Sequence, residues 1–234
     1  MFRVLPNALL KNPSIMFLRR IKRGFIYPKF IWAREITALL QKNIKTFPSI
    51  MVDAPSGEGI ISYWLSQNFP SIHFELYDIS KESIDQAKLL LPNSKIEIRD
   101  VFSIPIYKAE EIWLLINSVF LLPDVGHLLN RMKPRFKYIV GLFDNIESNN
   151  FKLYYKKHPE YKATVLLRTM SKNEIEEFFS NYGYRLVSYR YVTFLPFLHL
   201  PKSSIHSLFY FLLDPFLKNR HKWAYWIGLF ERNE

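Results

Sequence analysis

Residues 49–78 read SIMVDAPSGEGIISYWLSQNFPSIHFELYD, and this stretch decides the fold. Ser49–Asp53 is a short apolar run that closes on a carboxylate, the pattern of a buried strand. Gly57 and Gly59 mark a turn, and a helical stretch follows from about Gly59 to Asn68. Ile72–Asp78 alternates as a strand does and also ends on an aspartate. Strand, glycine-bearing turn, helix and strand make one βαβ unit, in which the two strands run parallel.

The same rhythm continues outward. Lys81–Leu91 is helical and stops at Pro92, Lys95–Arg99 is a third strand, and Glu111–Asn117 an apolar fourth. Pro123–Met132 reads as a helix and Phe136–Phe143 as a fifth strand. Ser171–Asn181 opens with Ser171 and carries Glu174 three residues on, which is a capping box. Strands at Arg185–Thr193 and Trp223–Phe230 finish the chain. Between them, residues 201–218 supply a helix, or else the two strands form an antiparallel pair with a long excursion. The expected architecture is a single α/β domain, a three-layer Rossmann-like sandwich on a seven-stranded, mostly parallel sheet with an antiparallel final strand. Its parts are a basic N-terminal helical lid (1–47), a core (48–193), a hydrophobic insertion (194–221) and the last strand (222–234). A doubly wound sheet binds its ligand beyond the carboxyl ends of its strands, where Asp53, Asp78 and Asp100 fall.

The 234 residues suffice for one such domain, and 49% hydrophobic with 23% charged residues is a globular balance. There is no cysteine, which excludes disulfides and thiolate metal sites. No His or carboxylate pair has ligand spacing, so no metal is expected. The opening stretch has no secretory pattern, and the expected location is cytoplasmic. The net charge of +11 is uneven. Residues 1–45 carry ten Lys/Arg against one acid, whereas residues 46–189 carry sixteen against seventeen. A neutral body with basic ends disfavours nucleic acid, which calls for a basic stripe across the domain.

The turn Asp53-Ala54-Pro55-Ser56-Gly57-Glu58-Gly59 admits two chemistries. Gly57-x-Gly59-x-x-Ser62 with Asp78 further on is a degraded dinucleotide fingerprint. A pyrophosphate, however, is repelled by Asp53 and Glu58, whereas a ligand bearing an ammonium and a sulfonium is attracted. Residues 52–59, VDAPSGEG, resemble the first motif of the class I (seven-stranded) S-adenosylmethionine-dependent methyltransferases, acid-x-Gly-x-Gly-x-Gly, with Pro55 in place of the first glycine. The resemblance spans roughly residues 27–193 and implies S-adenosylmethionine as cofactor. It implies that Asp78, with Ile79 beside it, holds the ribose hydroxyls, and that Asp100 and Val101 lie at the adenine. Asn117, opening NSVFLLPD, resembles the start of the family's fourth motif, under the methionine part. Tyr27 and the helix Lys29–Gln41 stand where many members place a lid. Tyr27 or Trp32 then crosses the ligand, or both simply pack the helix on the sheet.

No catalytic base is evident; His158, near Tyr154, Tyr155 and Tyr161, is the candidate, and His127 reads as a surface residue. Residues 194–217 hold LPFLHLP and SLFYFLLDPFL, with an uncharged run of 11 residues between Lys202 and Asp214, too short to span a bilayer. Together with the basic N-terminal segment it suits either a peripheral contact with an anionic membrane or a covered sheet edge or interface. The expected activity is methyl transfer to a small-molecule, lipid or glycan acceptor. The alternatives are an inactive methyltransferase-fold binding or assembly protein and, third, an NAD-dependent oxidoreductase.

Overall fold

Strands such as Glu111–Ile116 (EIWLLI) are apolar on both faces because helices cover both sides of the sheet they enter. The structure, a computed structural model, describes residues 26–116, 122–148, 170–192 and 225–233. In chain order these form α1 (Ile26–Asn43), β1 (Ile50–Asp53), α2 (Ile60–Asn68), β2 (His73–Asp78), α3 (Lys81–Leu90), β3 (Lys95–Ile98), a 3-10 turn (Val101–Ser103), β4 (Glu111–Ile116), α4 (Val125–Met132), β5 (Phe136–Asp144), α5 (Lys172–Asn181), β6 (Tyr184–Val192) and β7 (Tyr225–Arg232). The sheet order is β3-β2-β1-β4-β5-β7-β6. β1 to β5 pair in parallel, and β7 runs antiparallel to both β5 and β6. The seven strands and the reversed last strand match the sequence expectation. β7 ends two residues later than its hydropathy suggests, because Arg232 pairs with Tyr184 at the start of β6.

The core has two halves, one on each face. Ile36 and Leu40 of α1, Leu65 of α2 and Ile84 of α3 pack on Met51, Leu76 and Leu114. On the other face, Leu129 of α4 and Phe179 of α5 cover Val52, Trp113 and Phe143. Two glycines make room there: Gly141 and Gly228 are register partners. A Cβ on Gly141 would come within 2.3 Å of the Phe143 ring, and one on Gly228 within 2.7 Å of Trp226. The freed space lets Phe143 and Trp226 stack at 4.6 Å. The N-terminal segment 1–25, residues 117–121 and 149–169, and the insertion at 194–217 lie outside the described residues. Among those described, no helix is long and apolar enough to cross a membrane.

One ionic cluster crosses the amino edge of this sheet. Arg135, fully buried just before β5, donates through Nη2 to Glu75 of β2 and through Nε to Glu111 of β4, both at 2.6 Å. Tyr107 lies over the guanidinium at 4.5 Å, and Nη1 donates to the Pro105 carbonyl at 3.0 Å. Burial opposes ionisation of Glu75, yet hydrogen bonds from Arg135 and Tyr77 hold its carboxyl below the usual range. Lys95 Nζ also approaches Glu75 Oε1 at 3.3 Å, but it is Arg135 that joins Glu75 to Glu111. Substitution Arg135→Met should therefore cost about 3–5 kcal/mol in urea unfolding, the usual cost of leaving a buried ion without its partner.

Candidate functional site

The strand order turns back between β1 and β4: the chain goes from β1 outward to β2 and β3, then returns to the other side as β4. Helices α2 and α3 consequently lie on one face and α4 on the other. Such a switch point leaves a crevice beyond the carboxyl ends of the strands. The structure brings Asp53, Pro55, Gly57, Gly59, Asp78 and Ile79 together along this edge, with Asp100 and Val101 just past β3.

The β1–α2 loop is anchored from both sides. On the β4 side, Trp113 Nε1 donates to the Ala54 carbonyl at 2.9 Å. On the β2 side, Ser56 N–H donates to the Tyr77 carbonyl at 2.9 Å, and Gly57 N–H to Asp78 Oδ2 at 2.8 Å. The second oxygen of Asp78 accepts the Ser80 N–H at 2.9 Å. A carboxylate oxygen has two lone pairs, so each oxygen retains capacity for a ligand hydroxyl. Gly57 and Gly59 both have left-handed φ, +54° and +66°, where a side chain is strained. They differ in surroundings. A Cβ on Gly59 would lie 2.6 Å from Leu76, so this glycine seats α2 on the sheet, whereas one on Gly57 would meet nothing within 4 Å. Gly57 thus faces open space at the crevice. Beside it, Ile79 is 74% exposed, an apolar edge next to a buried carboxylate.

Asp53 is buried at the end of β1 and accepts from Ser62 Oγ at 2.6 Å. Burial pushes its pKa up to about 7; the Ser62 hydrogen bond and the Lys29 charge work against this, and Asp78 adds to it. Glu58, 2% exposed, turns toward α1, where Lys29 Nζ lies 3.4 Å from its Oε2. Asp100 is exposed and caps the 3-10 turn by accepting the Phe102 N–H at 2.9 Å, while Val101 is buried beneath it.

Of the other residues singled out in the sequence, Trp32 takes a packing role and several lie outside the described residues. Trp32 is buried against Tyr225 of β7, with ring centroids 5.6 Å apart, so it packs α1 on the sheet. Tyr27 lies in the first turn of α1, with its side chain outside the described residues. Asn117, one residue past β4, and His158 also lie outside them. His127 is exposed, as read from the sequence. Two residues escaped the sequence reading. Ser62 shows only as the third position of the glycine pattern, and no sequence signal separates Lys29 from the other basic residues nearby.

No protein-family model and no curated protein sequence matches the chain. Solved structures do. The plantazolicin methyltransferase BpumL in complex with S-adenosylhomocysteine aligns at TM-score 0.64 and 17% identity, covering 99% of this chain and 95% of that one. The magnesium protoporphyrin IX methyltransferase ChlM from Synechocystis PCC 6803, also with S-adenosylhomocysteine bound, aligns at 0.61 and 10%, covering 97% and 94%. Mitomycin 7-O-methyltransferase MmcR aligns at 0.57 and 15%, covering 88% of this chain and 53% of that one. The chain has the class I methyltransferase fold. Within this methyltransferase fold, the crevice residues above occupy the edge at which doubly wound sheets hold their ligands.

The state of Asp53 can be read in stability. The native state holds its proton up to about pH 7, whereas the unfolded chain releases it near 3.8. Between those values the native state binds more protons, so this group's contribution favours folding at low pH and is lost as pH rises to 7. Asp53→Asn should abolish that part of the pH dependence. Urea midpoints at pH 5 and pH 8 should converge in the variant, with a gain of up to about 4 kcal/mol at pH 8.

Proposed function

We propose that this protein binds S-adenosylmethionine at the carboxyl edge of β1, β2 and β3 and transfers its methyl group to a small-molecule, lipid or glycan acceptor. The observation that carries this reading is the loop itself: a left-handed Gly57 open to the crevice, bonded to Asp78, with Asp53 and Glu58 on either side. A pyrophosphate placed there would meet carboxylates; a sulfonium and an ammonium meet opposite charge.

When bound, the cofactor supplies an electrophilic methyl carbon on a positively charged sulfur. Everything else falls to the chain. Asp78 accepts from the two ribose hydroxyls while its existing bonds to Gly57 and Ser80 hold the carboxylate still. Ile79 and Val101 flank the adenine, with Asp100 at its amine. Asp53 favours the cationic end, Asn117 lies under the methionine portion, and Tyr27 belongs to the lid. Methyl transfer is an in-line displacement, so most of the acceleration comes from positioning and exclusion of water. His158 is the candidate to take a proton from the acceptor. An acceptor presented at an anionic membrane surface suits the basic N-terminal segment and the apolar run at 194–217.

Calorimetric titration tests the reading. Micromolar binding of S-adenosylmethionine and S-adenosylhomocysteine, with NAD inert, is expected. Asp78→Ala should weaken both by about 100-fold, as loss of two hydrogen bonds to a charged group implies. Because a cationic ligand favours ionised Asp53, affinity for S-adenosylmethionine should rise between pH 6 and pH 8, and more steeply than for S-adenosylhomocysteine, which lacks the sulfonium. Absence of binding would leave a binding or assembly protein on a methyltransferase scaffold.

A further inference from the structure

Helices α1 and α2 run side by side, and a groove of about 390 Å³ remains between them. Small-molecule sites ordinarily enclose about 300–1,000 Å³. The groove is separate from the crevice: neither Asp53, Gly57, Asp78 nor Asp100 lines it. Ala33 and Ala38 keep its α1 wall low, whereas Tyr63 and Trp64 raise the α2 wall. Neighbouring helices usually fill such a space with interdigitating side chains, and here two alanines leave it open. Phe30 reaches across from α1 and meets Trp64 edge to face, with ring centroids 5.3 Å apart.

Donors also line the groove. Trp64 Nε1, Tyr63 Oη and the Gln41 carboxamide have no hydrogen-bond partner among the described residues. Of the described lining residues only Arg34 is charged, and none is a carboxylate. Arg34 Nη2 donates to Glu35 Oε1 at 2.8 Å, while Arg190 Nη1 donates to Glu35 Oε2 at 2.9 Å. Two guanidiniums thus share one carboxylate, and this trio keeps one positive charge in excess beside the groove.

We propose that the groove between α1 and α2 is a second small-molecule site, for a flat aromatic ring bearing one carboxylate or sulfonate. A ring of naphthalene or indole size gains stacked or edge contacts with Trp64 and Tyr63 that an alkyl chain does not. The anionic group meets the free donors and the field of Arg34, which keeps its bonds to Glu35 and contributes by charge alone. A cation there would meet a like charge with no acid to offset it. The site is independent of whatever fills the crevice.

Naphthalene-2-sulfonate is the probe, titrated against the full chain by ligand-observed saturation-transfer NMR. For a ligand of this size the expected Kd is about 1 mM or tighter. Naphthalen-2-ylmethylammonium, with the same ring and the opposite charge, should bind about threefold more weakly or worse, the modest effect of a half-exposed charge. Octyl sulfate, with the charge but no ring, should also bind more weakly. Arg34→Gln should bring the two naphthalene ions within about twofold of each other. Ala38→Phe, at a half-buried position, places a ring in the gap and should weaken the sulfonate by about 10-fold or more. If that variant fails to fold by circular dichroism, Trp64→Leu carries the same direction of change. Sulfonate binding unchanged in whichever of these variants folds would mean adsorption elsewhere on the protein and overturn the assignment. Failure of the sulfonate to bind, or equal binding of the ammonium or of octyl sulfate, would overturn it too.

Discussion

The guanidinium of Arg135 is the constraint on which the sheet depends. It holds Glu75 of β2 and Glu111 of β4, and β1 lies between those two strands. The cluster therefore bridges across β1, joining Glu75, level with Val52, to Glu111, which lies two residues nearer the amino edge. In parallel strands a slip of one residue turns every side chain to the opposite face. Here such a slip would drive Glu75 and Tyr77 into the half of the core packed by α1, α2 and α3. Buried ions are costly unless matched, so a register that separates these three groups is strongly disfavoured. The opposite, carboxyl edge inherits that alignment: Asp53 ends β1 level with Leu76, so Asp78 stands two residues further out, level with Ile98 at the end of β3.

At the carboxyl edge the arrangement is electrostatically expensive by itself. Asp53 is buried with one hydroxyl donor, and its elevated pKa records the desolvation. An apolar residue at that position would suit the empty fold better. A carboxylate that is poorly solvated without a ligand becomes an asset once a cation replaces the missing solvent, because the local dielectric strengthens the attraction. Asp78 differs in kind. It is engaged by two backbone N–H groups and serves first as a brace for the loop. Removing it would alter both the loop and any contact to a ribose, whereas removing the Asp53 charge would relieve strain and weaken a cationic ligand.

Much of this was legible along the chain. The alternation of short apolar runs with helical stretches, two strands ending on aspartate and the glycines between them fixed the fold class. The Ser171–Glu174 capping box also formed as read, with Glu174 accepting the Ser171 N–H at 2.7 Å. These signals are local: periodicity, caps and turn residues act over a few neighbours. Trp32 shows where local reading stops. Its position near the start of α1 allowed either a lid or a core role, and only the placement of Tyr225, far along the chain, decided for the core.

By itself, the sequence determined the elements, their order, the parallel central sheet and the acidic glycine turn, because hydropathy period and backbone preference are written residue by residue. Tertiary structure alone decided which distant residues became partners. Arg135 finds Glu75 from 60 positions away, Arg190 of β6 finds Glu35 of α1 from 155, and Lys29 finds Glu58 across the α1–β1 connection. Charged side chains carry no periodic signal that names a partner, and their energies depend on burial, which exists only once the layers have closed.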